Sequence, residues 1–129
     1  MVGPATELRL ADAERLEVRP PVDRAEIQRL LSQARVVALP SRGEALPMIL
    51  AEAMAAGRPF IATATGGVSA LAGGGLIVAV DDHVALAGAL IELLGDRERA
   101  RRLAEGGLEL CRERMSPQAI GSRLAELYA

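Results

Sequence analysis

The sequence predicts an α/β fold built on a parallel sheet. Three observations carry that prediction. Short apolar runs recur at Val36-Val37-Ala38-Leu39, Phe60-Ile61-Ala62-Thr63 and Leu76-Ile77-Val78, and unbroken runs of this length suit strands covered on both faces. Between and after them lie segments with apolar residues at helical spacing. Strands alternating with helices imply crossover connections and a parallel sheet, and right-handed crossovers place ligands at the carboxyl ends of the strands.

The elements follow in order. Arg15-Leu16-Glu17-Val18 alternates polar and apolar residues, as a short strand does. Asp23 is placed to cap a helix, with Glu26 three residues on completing a capping box and Ile27, Leu30 and Leu31 as the apolar face. Pro40 ends the run from Val36 to Leu39. Met48 to Ala56 reads as a helix opened by Pro47 and closed by Gly57. Gly66-Gly67 breaks the Phe60–Thr63 strand, and Gly73-Gly74-Gly75 marks a second loop before Leu76. From Asp82 the chain is helical. Asp82 caps a first helix with the stripe Leu86, Leu90, Leu93 and Leu94, and Arg97 to Arg114 carries Leu103, Gly107, Leu108 and Cys111 on one side. Ser116-Pro117 opens a last helix, from which Ile120, Leu124 and Leu127 are expected to face the core.

Bulk properties bound the function. A length of 129 residues, half of them apolar, fits one domain with one core. With 2% aromatic residues, that core must be aliphatic. A net charge of −2 argues against a basic nucleic-acid surface. No long apolar span predicts a transmembrane segment, and the lone Cys111 cannot form an internal disulfide, which points to the cytoplasm. One His and one Cys make a protein metal site an unpromising reading. The chain has no Lys, which excludes Schiff-base and P-loop lysine chemistry.

The segment from Pro40 to Met48 joins a predicted strand to a predicted helix, so the helix start offers free backbone N–H groups and a positive dipole end to a phosphate. Glu44 sits in that loop, and Glu52 lies eight positions on, within an otherwise apolar helix (Met48, Ile49, Leu50, Ala53, Met54). A carboxylate there can accept from two vicinal ribose hydroxyls. The competing reading, a Glu that caps or pairs with an Arg on a solvated face, is the stronger one on spacing alone. Arg42, beside the motif, can reach a phosphate or simply be an exposed loop residue. His83 is read as a first-turn helix residue, Cys111 as core packing, and the interleaved charges from Arg97 to Glu105 as a solvated helix face.

Pro40-Ser41, Glu44, Pro47, Glu52-Ala53-Met54-Ala55-Ala56-Gly57, Pro59 and Ala62-Thr63, followed in order by Gly66-Gly67 and Gly75-Leu76-Ile77-Val78, resemble the signature of the retaining GT-B glycosyltransferases of the group 1, sucrose-synthase-like branch. The resemblance runs from about Val18 to the C-terminus and implies one Rossmann-like domain or domain fragment over residues 1–129: a doubly wound parallel sheet with helices on both faces, incomplete at its N-terminus. It implies a hexosyl transfer from a nucleoside-diphosphate sugar, without a metal or other cofactor. Glu44 matches the first Glu of the family's Glu-x7-Glu motif, beside the donor sugar and the catalytic centre. Glu52 matches the second, which holds the ribose hydroxyls. The backbone of Ala45, Leu46, Pro47 and Met48 matches the turn that meets the sugar and phosphates, and Gly66-Gly67 is a further candidate contact with the donor. Glu44 and Glu52 are accordingly expected to line one cleft at the carboxyl edge of the sheet.

This chain also departs from the pattern. Ala45 stands where the family has Gly, and Ser69-Ala70 where it has Glu. The family's diphosphate-gripping Arg and Lys come from a loop after a first strand that this chain is expected to lack, with Met1-Val2-Gly3 as a candidate tail of the second strand. The strand at Val36–Leu39 would then lack its neighbour. Three outcomes follow: the neighbouring strand slides in, a second copy of the chain supplies an edge, or upstream residues fill the place. The last is the expectation, with pairing between copies as the fallback. The acceptor-binding N-terminal domain would be a separate partner. Two function classes follow: the donor-binding half of a glycosyltransferase, or a truncated non-catalytic α/β module that binds a nucleotide or a partner protein.

Overall fold

A computed structural model describes residues 16–128. The chain divides into two compact units, residues 1–30 and 31–129, taken separately here. In the first, Leu16 to Val18 form no strand, contrary to expectation (Arg15 and Met1-Val2-Gly3 lie outside the described residues). Arg19, next in the chain, forms an isolated β-bridge, and the segment is also engaged through side chains. Arg19 Nε donates to Glu17 at 2.8 Å and its Nη1 to Glu26 at 2.6 Å, and Pro20-Pro21 then offer no N–H to extend a ladder. Helix α1, Arg24–Gln33, starts as expected, with Asp23 Oδ1 accepting from the Glu26 N–H at 2.9 Å. The Glu26 carboxylate turns to Arg29 and Arg19, and both guanidiniums hold it below the usual carboxylate range.

In the second unit, β1 (Val37–Leu39), β2 (Phe60–Thr63) and β3 (Gly75–Val78) form a parallel sheet in the order β1-β2-β3. Val37 pairs with Phe60, and Phe60 in turn with Gly75. Only the central β2 is buried along its whole length. Ala38 is exposed while Val37 and Leu39 are half-buried, and β3 is half-buried beyond Gly75. The expectation of double-sided burial thus holds for β2 and fails for β1 and β3, because they are the outer strands of the described sheet.

Helices cover both faces, as the α/β reading requires. Phe60 and Ala62 point to one face, where they pack with Leu50 and Met54 of α2 (Met48–Ala55) and with Val68 and Leu71. Ile61 points to the other, against Ala89 and Leu93 of α3 (His83–Gly95). This is the period-2 alternation of a strand. Gly57, at φ 67, ends α2 by donating its N–H to the Met54 carbonyl at 2.9 Å. Residues Gly66–Gly74, expected as a turn and a loop, wind into 3-10 turns. Asp82 caps α3 through the Ala85 N–H at 2.8 Å. Leu94 is 43% exposed, because Leu93 rather than Leu94 points to the sheet.

Helix α4 (Arg97–Arg114) lies against the 3-10 segment through glycine. A Cβ on Gly107 would sit 3.1 Å from the Gly74 Cα and 3.0 Å from the Met54 side chain, and one on Gly74 would come within 2.4 Å of the Met54 sulfur. The last helix, α5 (Pro117–Tyr128), is capped by Ser116 Oγ accepting from the Ala119 N–H at 3.1 Å. Its apolar residues do not face a core, contrary to expectation. Ile120 and Leu124 are each 48% exposed and Leu127 78%, and no described residue of α5 is buried. No described helix is long and apolar enough to cross a membrane.

The glycine contact sets a paired expectation. Gly107→Ala should destabilise the fold by about 1–3 kcal/mol through overpacking. Gly88→Ala, in open space on α3, should stabilise it by about 0.5–1 kcal/mol through helix propensity. Urea unfolding followed by circular dichroism measures both, and equal effects would refute the packing argument.

Candidate functional site

The carboxyl ends of the three strands open onto the loops that carry the motif. Pro40 closes β1, and the loop to α2 folds back on itself: Ser41 Oγ donates to Glu44 Oε1 at 2.7 Å. That loop is anchored from β2, whose last residue, the buried Thr63, donates its hydroxyl to the Ser41 carbonyl. Two links therefore run from the central strand to the Glu44 carboxylate, one through a backbone carbonyl and one through a serine hydroxyl.

Gly66 and Gly67 secure the same loop from the far side. The Gly67 N–H donates to the Ala45 carbonyl at 2.8 Å. Gly66 has φ 44, and a Cβ there would lie 1.7 Å from the Glu44 carbonyl oxygen. No side chain can occupy that space, so glycine is needed both for the backbone angle and for the approach. The pair, read from the sequence as a turn or a donor contact, supports the backbone of Glu44 and Ala45.

Helix α2 begins at Met48, after the buried Pro47, and no side chain caps it. Its first N–H groups remain oriented toward the loop side, as anion binding requires. Ala45, Leu46 and Met48 are exposed around this helix start. One turn further, the half-buried Glu52 lines a groove of about 590 Å³ with Leu46, Met48, Cys111, Met115 and Ile120. Among the described residues its carboxylate has no hydrogen-bond or ion-pair partner. The exposed Arg112 lines the same groove and pairs with Glu109 at 3.9 Å. A half-buried carboxylate in a largely apolar groove gains nothing for the fold, since burying a charge without a partner is unfavourable. Glu44 is not part of that groove's lining.

A second cleft, of about 550 Å³, lies at the strand ends, lined by Pro40, Arg42, Thr63, Asp81, Asp82 and His83 among others. Arg42 Nε meets Asp81 Oδ1 at 2.7 Å across it, tying the loop after β1 to the loop after β3 and raising the guanidinium pKa further. Asp81 adopts φ 62, unusual for a residue with a side chain. His83 is the exposed first residue of α3, as read from the sequence. Cys111 is partly buried, and burial pushes its thiol pKa up. Its Sγ lies 3.8 Å from the Ala51 carbonyl and 3.9 Å from the Met115 sulfur. Cys111 and Met115 as neighbours of Glu52, and Thr63 as the anchor of Ser41, were not legible as site residues. They come from elements far away in the chain, and nothing local to them signals the contact.

Gly66→Ala should therefore destabilise the fold by about 1–3 kcal/mol or more, the range for a forced left-handed backbone with a clash. Gly43→Ala, in the same loop but with open space at its Cβ position, should stay within about 0.5 kcal/mol of the parent. Equal unfolding midpoints for the two variants would show that the Gly66 contact does not hold the loop.

Comparison with known proteins agrees with this geometry. The family described as Glycosyl transferases group 1 matches residues 1–96. D-inositol 3-phosphate glycosyltransferases are among the curated relatives. That of Thermobispora bispora is 35% identical over 127 residues, covering 96% of this chain and 29% of its own length. That of Corynebacterium urealyticum is 38% identical over 128 residues, with the same coverage of both. Among solved structures, sucrose-phosphate synthase from Thermosynechococcus elongatus superposes with a TM-score of 0.78 at 32% identity, over 88% of this chain and 29% of that one. The chain thus spans less than a third of the length of these relatives. With the ordered motif from Pro40 to Gly67, the parallel sheet and these matches taken together, the chain belongs to the group 1 glycosyl transferases and has their GT-B α/β fold.

Proposed function

We propose that this chain is the donor-binding part of a retaining glycosyltransferase. It would take a nucleoside-diphosphate sugar, without a metal, and work in the cytoplasm with a separate acceptor-binding domain. The observation that carries this reading is the unpartnered carboxylate of Glu52, half-buried on the helix that follows the Glu44 loop. A ribose supplies two vicinal hydroxyl donors, and a carboxylate accepting both makes charge-assisted bonds of the strong kind. The donor would then extend past the start of α2, where the N–H groups near Pro47 and Met48 meet the diphosphate. The sugar would lie by Ala45 and Leu46, toward Glu44.

Chemistry in this reading is electrostatic. Departure of the nucleoside diphosphate leaves negative charge on the leaving oxygen, and fixed N–H donors at a helix start stabilise charge that develops in the transition state. Glu44, oriented by Ser41, would position the sugar beside the breaking bond. The acceptor must be held against the donor by residues beyond those described here, because proximity supplies much of the lowering of the barrier. The relatives' acceptors and sugars are not carried over, since the chain covers only part of each relative.

Nucleotide affinity should be modest. The chain has no Lys, and each missing charge-assisted phosphate contact weakens binding by roughly 1.5–3 kcal/mol, more than about tenfold. Titration calorimetry with uridine and guanosine diphosphates should give a Kd above roughly 100 μM for one of them. Glu52→Gln should weaken it by about tenfold, whereas 2′,3′-dideoxyribose analogues, which lack both hydroxyls, should bind the parent and the variant alike. Unchanged affinity in Glu52→Gln would overturn the ribose assignment. The isolated chain should show no sugar transfer, and transfer by it would place the acceptor site within these residues.

A further inference from the structure

At the opposite ends of the strands from the Glu44 loop lies a third cleft, of about 420 Å³, lined by four arginines: Arg35, Arg58, Arg97 and Arg101. Arg35 precedes β1 and Arg58 precedes β2, while Arg97 opens α4 and Arg101 lies one turn on. Gly57, Pro59, Leu93 and two alanines complete the lining, and no carboxylate is part of it. Of the four guanidiniums, only Arg101 is neutralised, by Glu98 and Glu105. Arg35 donates to the Leu94 carbonyl at 2.8 Å and Arg58 to the Ser32 carbonyl at 2.5 Å, which orients both side chains without cancelling their charge. Arg58 Nε is buried and has no hydrogen-bond partner. Arg97 has no hydrogen-bond or ion-pair partner among the described residues.

Arginine stays protonated at any physiological pH, so three positive charges without a carboxylate partner among the described residues share one small cleft, two of them eased by the helix C-terminal carbonyls of Leu94 and Ser32. Like charges drawn together from separate elements destabilise the folded state unless something neutralises them. The carbonyl bonds of Arg35 and Arg58 fix part of each fork, leaving the remaining N–H groups for a planar or tetrahedral oxyanion. Guanidinium forks match phosphate oxygens closely. A volume of this size also lies within the range of small-molecule sites.

We infer that this cleft is a second anion site, which takes a small soluble phosphate-bearing molecule through Arg35, Arg58 and Arg97. It lies apart from the proposed donor site, where the diphosphate would meet backbone N–H groups at the start of α2 and not guanidiniums. The inference stands whether or not the proposed donor reading holds.

The probe is inorganic pyrophosphate, which has no ribose, titrated into the full chain and followed by backbone amide NMR shifts and thermal melting. Shifts at Gly57, Arg58 and Arg97–Arg101 are expected, with a rise in Tm that saturates with pyrophosphate and is lost in high salt. Arg97→Gln removes a side chain with no structural bond, so it should leave the ligand-free Tm unchanged or higher. It should weaken pyrophosphate binding by about tenfold. Arg58→Gln should weaken it as well, and Glu52→Gln should leave it unchanged. Absence of binding, shifts confined to Ala45–Glu52, or equal binding in Arg97→Gln would each overturn the inference. So would binding to anionic phospholipid vesicles through these arginines without binding of pyrophosphate, since the source would then be a membrane and not a soluble molecule.

Discussion

The parallel pairing of β2 with both of its neighbours is the constraint on which the rest depends. Phe60, Ile61 and Ala62 are buried on two faces at once, so helices must cover both sides of the sheet. The strand's last residue, Thr63, carries that rigidity beyond the sheet by holding the Ser41 carbonyl, and Ser41 holds Glu44. The glycines that follow β2 then press on the backbone of Glu44 and Ala45 from the opposite side. The motif loop is thus held by the core at both ends, which is the way a fold places a polar constellation on a rigid support.

Glu52 lies unpaired in a groove lined mostly by apolar residues, and Arg97 lies unpaired in a cleft where Arg58 carries a buried Nε without a partner. Other groups of the second unit are likewise unpartnered, among them the buried Thr65 Oγ1. Arg101 pairs with Glu98 and Glu105, and Arg42 with Asp81, but these pairs lie at the exposed surface, where they add little to stability. The apolar residues Ile120, Leu124 and Leu127 of α5 are left uncovered by the described residues.

Much of this was legible in the sequence. Asp23, Asp82 and Ser116 cap the helices they were assigned, because a cap needs only a short side chain and a nearby N–H. β2 was readable to the residue, since its apolar run ends in buried Thr63 and a glycine pair. Burial of β1 and β3 was overestimated, because an apolar run does not say whether a strand lies inside or outside a sheet. Leu94 and the stripe of α5 were misplaced for a related reason. Helical spacing finds an apolar face, but it does not say what covers it. The Glu44–Glu52 motif was visible through its resemblance to a family, whereas its supports were not. Thr63 is 22 residues from Ser41, and Cys111 is 60 from Ala51, and no local pattern links positions so far apart. The arginine cleft was hidden in the same way, with Arg97 and Arg101 read as part of a solvated helix face until Arg35 and Arg58 were seen beside them.

The central claim is that Glu52 is held unpaired for the ribose of a nucleotide. A crystal structure of the chain with a bound nucleoside diphosphate tests it most directly. The account predicts both ribose hydroxyls within hydrogen-bond distance of the Glu52 carboxylate, with the phosphates turned toward the start of α2. A nucleotide seated elsewhere, with Glu52 still unpartnered, would contradict it.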